Sequence, residues 1–376
     1  MSASFTPSSL PAEFACETNG PTCLVIDFGS GSLKVGFSNQ DLPVIEIPTL
    51  VGLGDQSKPP SFGNEALDGV SVVKPVQRGK IPEPEALEAL LHFVLNGKLG
   101  LPAELQTPVL CIVSPVLPLF ARSRLIETLF DKFKAPAVGL ISSSVSALFA
   151  TGETSGLVLE IGDGLAVAVP VFEGFAIPHA TFASENAGAD VTATMRSALE
   201  HRLKLKLGLT SANAIKEKFA VVAQSSQQVS PPNVDKAKVF YELPDGNVIG
   251  IPEPLRWECA EQIFQGERSV VQLCVKALAT LDYYLQVELV KNIVVSGGCS
   301  TIENFSARLR QELVAVLKPD LAKELKINAD IHRKRGAWIG GSILASLSTF
   351  ARHTISRDEF EERRTNLSQL VAQKMI

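Results

Sequence analysis

A chain of 376 residues with 45% apolar residues, 20% charged residues and a formal charge of −5 has the composition of a folded globular protein, long enough for two cores rather than one. The mild acidity leaves no electrostatic footprint for nucleic acid, and no uncharged apolar run approaches the length of a membrane span. Six scattered cysteines (16, 23, 111, 259, 274, 299) without a CxxC read as reduced core thiols, and the five histidines form no metal-spaced pair, which argues against a zinc site.

Residues 1–22 are rich in Ser, Thr, Pro and Ala, and no Lys or Arg precedes Lys34. Neither a secretory leader nor a transit peptide fits, so a flexible extension is expected. The run Cys23–Ile26 predicts a buried strand, followed by Asp27, a turn with Gly29, Ser30 and Gly31, and a second strand through Leu33, Val35 and Phe37. β character resumes over Val44–Leu53, and Gly54–Gly63 is a polar Pro/Gly loop. Ala86–Val94 has helical spacing, Pro108–Ser114 is a buried strand, and Phe120–Phe133 is an amphipathic helix. Ala137–Ile141 is a strand, and Ser143–Ala150 a helix of small residues.

The second half repeats this logic. Gly156–Phe172 predicts another hairpin, with Glu160 before a turn holding Gly162, Asp163 and Gly164. Helices are expected around Asp190–Leu203 and Ile215–Val222, and a hairpin over Val239–Ile251 turning at Asp245–Gly246. One long helix is expected over Ser269–Gln286, then a strand at Asn292–Ser296 ending in Gly297 and Gly298. Leu309–Leu317 is helical. Ala337–Phe350 is apolar all round and predicts a buried helix whose two glycines allow close backbone approach. Ser356–Glu359 is a capping box, and Asn366–Ile376 has the spacing of an amphipathic tail. Alternating strands and helices predict mixed α/β domains with largely parallel sheet cores.

The two hairpins match position for position: Asp27 with Glu160, Gly29 with Gly162, Gly31 with Gly164. Either alone reads as an ordinary glycine-turn hairpin. Together they suggest two halves built alike around one ligand. Successive amides in such turns form an anion-binding concavity, and an acid beside each turn suits a hydrated divalent cation.

These segments resemble the actin family. The resemblance covers most of the chain and is carried by VIDFGSGSLKVGF, GDGLAVAVPVFEGFAIPHA, YELPDGNVI, VVSGGCS and WIGGSILASLSTF with ISRDEFEE after it. It implies an α/β actin-like ATPase fold, two RNase-H-like domains facing a nucleotide cleft. The implied boundaries are 23–151 plus 336–376 for the first (small) domain and 152–335 for the second (large) one, after the extension 1–22. It implies ATP or ADP with Mg2+ or Ca2+. Ser30, Gly31, Ser32 and Lys34, with Asp163, Gly164 and Leu165, match the phosphate contacts; taken alone, Lys34 reads as a solvated strand lysine. Asp27 and Glu160 match the acids that order the cation's water shell, the second being Asp in most of the family. Gly188, Lys216, Glu217, Gly297, Gly298 and Lys334 match the ribose and base pocket, with Asn213 in place of the usual arginine and Ile302 in place of an aromatic.

The hydrolytic positions depart from the family. Ser143 stands where a glutamine orients the attacking water, and Val167 where a histidine assists. Binding with weak or absent ATP hydrolysis is therefore expected, with no catalytic residue. Filament contacts also depart. The Val51–Gly63 segment is short and Pro-rich, FQGERSV over Phe264–Val270 is a trimmed turn, and His353 and Thr354 replace larger apolar groups at the partner groove. The expected role is a subunit of a larger cytoskeletal assembly, dynein-linked, ciliary or axonemal, with other subunits, actin-like or dynein-associated, as partners. The expected location is the cytoplasm and cytoskeleton, with no membrane or direct nucleic-acid partner. The alternatives are a polymerising actin-like ATPase and a nuclear chromatin-remodelling subunit; a sugar kinase or chaperone-type ATPase is disfavoured by the WIGGSILASLSTF block.

Overall fold

Strand pairing puts the two matched hairpins at the same place in two sheets. The computed structural model describes residues 22–54, 59–68, 71–224 and 238–376, so the expected extension, apart from residue 22, lies outside the described residues. β1 (Leu24–Phe28), β2 (Ser32–Phe37) and β3 (Ile45–Pro48) form an antiparallel meander. β4 (Val51–Leu53), β5 (Ser61–Phe62) and β6 (Ser71–Val73) make a small sheet of their own. β7 (Val109–Val113) lies parallel beside β1, and β8 (Ala137–Ser142) parallel beside β7. β9 (Gly156–Ile161) and β10 (Ala166–Phe172) form the second hairpin, with β11 (Phe175–Ala176) and β12 (Phe182–Ser184) antiparallel on β10. β13 (Lys238–Glu242) and β14 (Val248–Pro252) pair as an isolated hairpin. β15 (Ile293–Ser296) lies parallel beside β9, with β16 (Ile327–Asn328) parallel beyond it. β17 (Thr354–Ser356) returns to β8 at the edge of the first sheet.

Both sheets thus run meander, hairpin strand, then two parallel strands: β3-β2-β1-β7-β8 and β11-β10-β9-β15-β16. The internal duplication suggested by the hairpins extends to whole-sheet topology. The sheets are mixed rather than largely parallel, because each hairpin pairs antiparallel and only the crossover strands run parallel. β1 and β7 are buried at every position, as expected of central strands covered on both faces.

Each sheet has a core on its outer face, and a third core lies between them. That third core joins Val25, Ile112 and Ile141 of the first sheet to Val158, Val169 and Val294 of the second through helices Ser143–Phe149 and Gly336–Ala345. Trp338 is fully buried there, and its indole N–H donates to the Val25 carbonyl at 3.1 Å, so its one polar atom is satisfied. The glycines of Gly336–Ala345 allow the backbone approach expected of them. A Cβ on Gly340 would lie 1.6 Å from the Ser146 carbonyl oxygen.

Several elements differ from expectation. The long helix over Ser269–Gln286 is two, Val270–Ala279 and Tyr283–Val290. Asp282 begins the second as its N-cap, accepting from the Leu285 amide at 3.0 Å. The helix placed at Ile215–Val222 runs Leu209–Phe219 instead, because Ala220 turns extended and Val221 bridges Glu303. The apolar helix ends at Ala345 rather than Phe350. Ser346 Oγ bonds back to the Ser342 carbonyl, and Ile343 and Leu347 reach solvent. The Gly54–Gly63 loop contains β5, and its residues 55–58 lie outside the described residues. The capping box at Ser356 forms with both of its hydrogen bonds, and the final helix, Leu367–Lys374, buries Leu367, Leu370 and Val371.

Candidate functional site

Between the two hairpins lies a cavity of about 620 Å³. Every residue matched to the nucleotide and cation site lines it: Asp27, Ser30 to Ser32 and Lys34 from the first hairpin, Glu160 and Asp163 to Leu165 from the second, and Gly188, Asn213, Lys216, Glu217, Gly297, Gly298, Ile302 and Lys334 beyond them. Ser143 and Val167 line it as well.

The turns meet at its floor. A Cβ on Gly31 would stand 2.7 Å from that of Asp163, and one on Gly164 would stand 2.9 Å from Ser30 Oγ. Both turns are braced from outside. Thr49 donates its hydroxyl to the Gly29 carbonyl at 2.7 Å, and the amides of Gly188 and Ala189 donate to the carbonyls of Gly162 and Asp163. The amides of Ser30, Gly31, Asp163 and Gly164 donate to no backbone carbonyl among the described residues. Unspent donors clustered on two facing turns form an anion cradle.

The hairpin registers explain the electrostatics. Asp27 lies across from Lys34, and at the equivalent place Glu160 lies across from Val167. In the first hairpin the acid has its cation: Lys34 Nζ is 2.8 Å from Asp27 Oδ2, both buried. Burial works against the Lys34 ammonium, but the charge and hydrogen bond of Asp27, with Glu46 and Glu160 behind, outweigh it and hold the pKa above the ordinary lysine value. Lys34 is therefore no solvated strand lysine.

In the second hairpin Val167 offers no charge. Two serines take over: Ser143 Oγ and Ser144 Oγ donate to Glu160 Oε2 at 2.8 and 3.1 Å. Burial raises the Glu160 pKa and the negative charge of Asp27 nearby adds to the rise, which the two hydroxyls and the Lys34 ammonium only partly offset. Both hydroxyls go to one oxygen; Oε1 accepts no hydrogen bond among the described residues.

Sequence reading reached Ser143 only as a replaced side chain. The structure gives it a task, since it holds Glu160. Val167 is 2% exposed and packs into the core between the sheets.

On the opposite wall, Lys216 is buried and donates to the Gly188 carbonyl at 3.2 Å, so it also shapes the turn before helix Gly188–Leu203. Asn213 joins Thr192 to Glu217, accepting from the first at 3.3 Å and donating to the second at 3.0 Å. Ile302 is buried at the wall, an apolar surface where a ring can pack without stacking.

Glu46 on β3 was not singled out. It binds Lys334 at 3.2 Å and Arg335 at 2.9 Å, tying the first sheet to the segment entering helix Gly336–Ala345. Burial alone would raise its pKa, but Lys334 and Lys34, with the Arg335 hydrogen bond, bring it below the usual carboxylate range. A depressed carboxylate stabilises the fold above its unfolded pKa, about 4.3, and that stability is lost as pH falls through the folded value. Glu46→Gln is expected to remove about 1 kcal/mol at neutral pH and to flatten the acid limb of stability against pH. Urea unfolding across acidic pH checks this, and an unchanged acid limb in the variant contradicts it.

The acids also bear on a cation. Among the described residues no three His, Cys, Asp or Glu side chains converge as a metal cage. Two carboxylates beside an anion cradle instead fit a hydrated divalent ion held largely by phosphate oxygens and water.

Two facing sheets of one topology, with two glycine turns and a buried lysine ion pair between them, define one cleft. A family model described as Actin matches residues 19–210 and 209–375. Nearly the whole chain is covered, and the duplicated sheets agree with it: this chain belongs to the actin family.

Proposed function

We propose that the cleft binds ATP or ADP with Mg2+ or Ca2+, and that the nucleotide serves as a stabilising ligand rather than as fuel. The observation carrying this is the contrast within one cavity. The anion cradle and Lys34 are intact, while Ser143 is engaged by Glu160 and Val167 is packed into the core. When bound, the cation would neutralise phosphate charge. Asp27 and Glu160 would order its water shell, the turn amides and Lys34 would hold the phosphates, and Ile302 and Lys334 would face the base. Ser143 spends its hydroxyl proton on Glu160 and is too short to hold a water in line at the outer phosphate, Val167 has no polar atom, and phosphoryl transfer to water depends on that positioning. A ligand bound to both halves stabilises them by mass action.

The same reading makes the chain a subunit of a cytoskeletal assembly, dynein-linked, ciliary or axonemal, with reduced capacity for conventional filaments. Support comes from the contacts expected to differ. The Phe264–Val270 segment closes as a tight turn, the Ser269 amide reaching the Gly266 carbonyl. Thr354 is buried in β17 rather than offered as an apolar surface.

Purified protein is expected to bind ATP with Mg2+ in calorimetry, to release phosphate in a single turnover far more slowly than conventional actin, and to stay in the supernatant when Mg-ATP is added. The tagged native protein is expected to co-purify with cytoskeletal subunits. A turnover rate like that of conventional actin, with pelleting, makes it a polymerising ATPase. Co-purification with chromatin remodellers makes it a nuclear subunit.

A further inference from the structure

Lys74 also lines the cavity, and nothing in the family match assigns it a role. It follows β6 and reaches the phosphate end of the cleft, with Nζ 3.5 Å from Asp163 Oδ2. Its side chain keeps 30% of its surface exposed.

Charge at the cleft floor is closely balanced. Lys34 is buried against Asp27 at 2.8 Å, and Glu46 and Glu160 also bear on it. Its charge is compensated before any ligand is considered. Position 167, the counterpart of Lys34 in the second hairpin, is an uncharged valine. The duplicated site therefore has a cation across from the acid in one hairpin and none at the matching position of the other. Lys334 and Arg335 share Glu46. Lys74 differs from these, because its ion pair is longer than the roughly 2.8 Å of a charge-assisted hydrogen bond and it lies at the cleft surface. The family resemblance implies that the Asp163 turn carries the outermost phosphate, and an anion held on that turn is within the reach of Lys74.

We propose that Lys74 is a specificity-determining residue for the terminal phosphate of a nucleoside triphosphate, supplying the second cation that Val167 does not. The inference rests on the nucleotide-binding reading above. A group contacting only the last phosphate strengthens triphosphate binding and leaves diphosphate binding nearly unchanged.

The test measures the affinities of wild type, Lys74→Gln and Lys74→Arg for ATP and for ADP, each with Mg2+. Wild type is expected to prefer ATP. Lys74→Gln is expected to weaken ATP about tenfold and ADP less than twofold, the loss of one charge-assisted contact. Lys74→Arg is expected to restore most of the preference. Equal weakening of both nucleotides overturns the proposal, since Lys74 would then only fasten the Asp163 turn; so does an unchanged ATP affinity. Wild type that binds neither nucleotide overturns the nucleotide reading itself, and this proposal with it.

Discussion

Lys34→Met is expected to cost about 3–5 kcal/mol of stability and to weaken ATP binding about a hundredfold. The two losses have different origins. Methionine keeps the length and apolar stem of the lysine but leaves Asp27 buried, 7% exposed, without its counter-ion. An uncompensated buried carboxylate is among the few single changes that cost this much. The affinity loss comes from the ammonium itself, which lines the cavity beside the first turn. The double variant Asp27→Asn with Lys34→Met separates the two. It replaces the ion pair by a neutral pair of similar volume, so most of the stability is expected to return while ATP binding stays lost. Chemical denaturation and calorimetry on the four proteins complete the cycle. If Lys34→Met alone binds ATP like wild type, Lys34 is merely the partner of Asp27, and the cradle works without it.

How much of this was legible in the sequence depends on distance along the chain. The paired hairpins were, because each fits in seventeen or fewer consecutive residues and the second repeats the first position for position, although either alone reads as an ordinary hairpin. The cavity-lining residues followed from the family resemblance and all reach one cavity. Glu46 was not legible. It sits in an ordinary edge strand, and Arg335, its partner, is 289 positions away. Lys74 follows a short strand, and its ion pair with Asp163 joins residues far apart in the chain. The break at Asp282 was in principle readable, since a Thr-Leu-Asp step within a helical pattern offers an N-cap. Apolar periodicity on both sides of it, from Val270 to Val290, concealed the stop. Ser143 marks a subtler limit. The family resemblance implies that it replaces a water-positioning glutamine, but its bond to Glu160 depends on a strand folded from residues further on.

Gly340→Ala is the smallest change with an expected effect of similar size, about 3–5 kcal/mol. A single methyl carbon there would stand 1.6 Å from the Ser146 carbonyl oxygen and 3.0 Å from the Ala150 amide nitrogen. Both clashing atoms are backbone, so no rotamer change relieves them. Helix Gly336–Ala345 would have to move away, but it is held on several sides. Ser146 Oγ donates to the Ala337 carbonyl, Trp338 is bonded to Val25, and a side chain on Gly341 would meet Ile112. Moving the helix therefore opens the core that joins the two sheets. It also displaces helix Ser143–Phe149, which carries both hydroxyls that hold Glu160. Stability and the placement of Glu160 are thus coupled through one glycine, and on the proposed nucleotide reading Gly340→Ala is expected to lower the unfolding midpoint and weaken Mg-ATP binding together. Gly208→Ala serves as the control, because nothing lies within 4 Å of its added carbon; it is expected to stay within about 1 kcal/mol of wild type. A Gly340→Ala protein with the unfolding midpoint of the control would mean that the two central helices tolerate separation. The join between the halves would then depend on the nucleotide rather than on this packing.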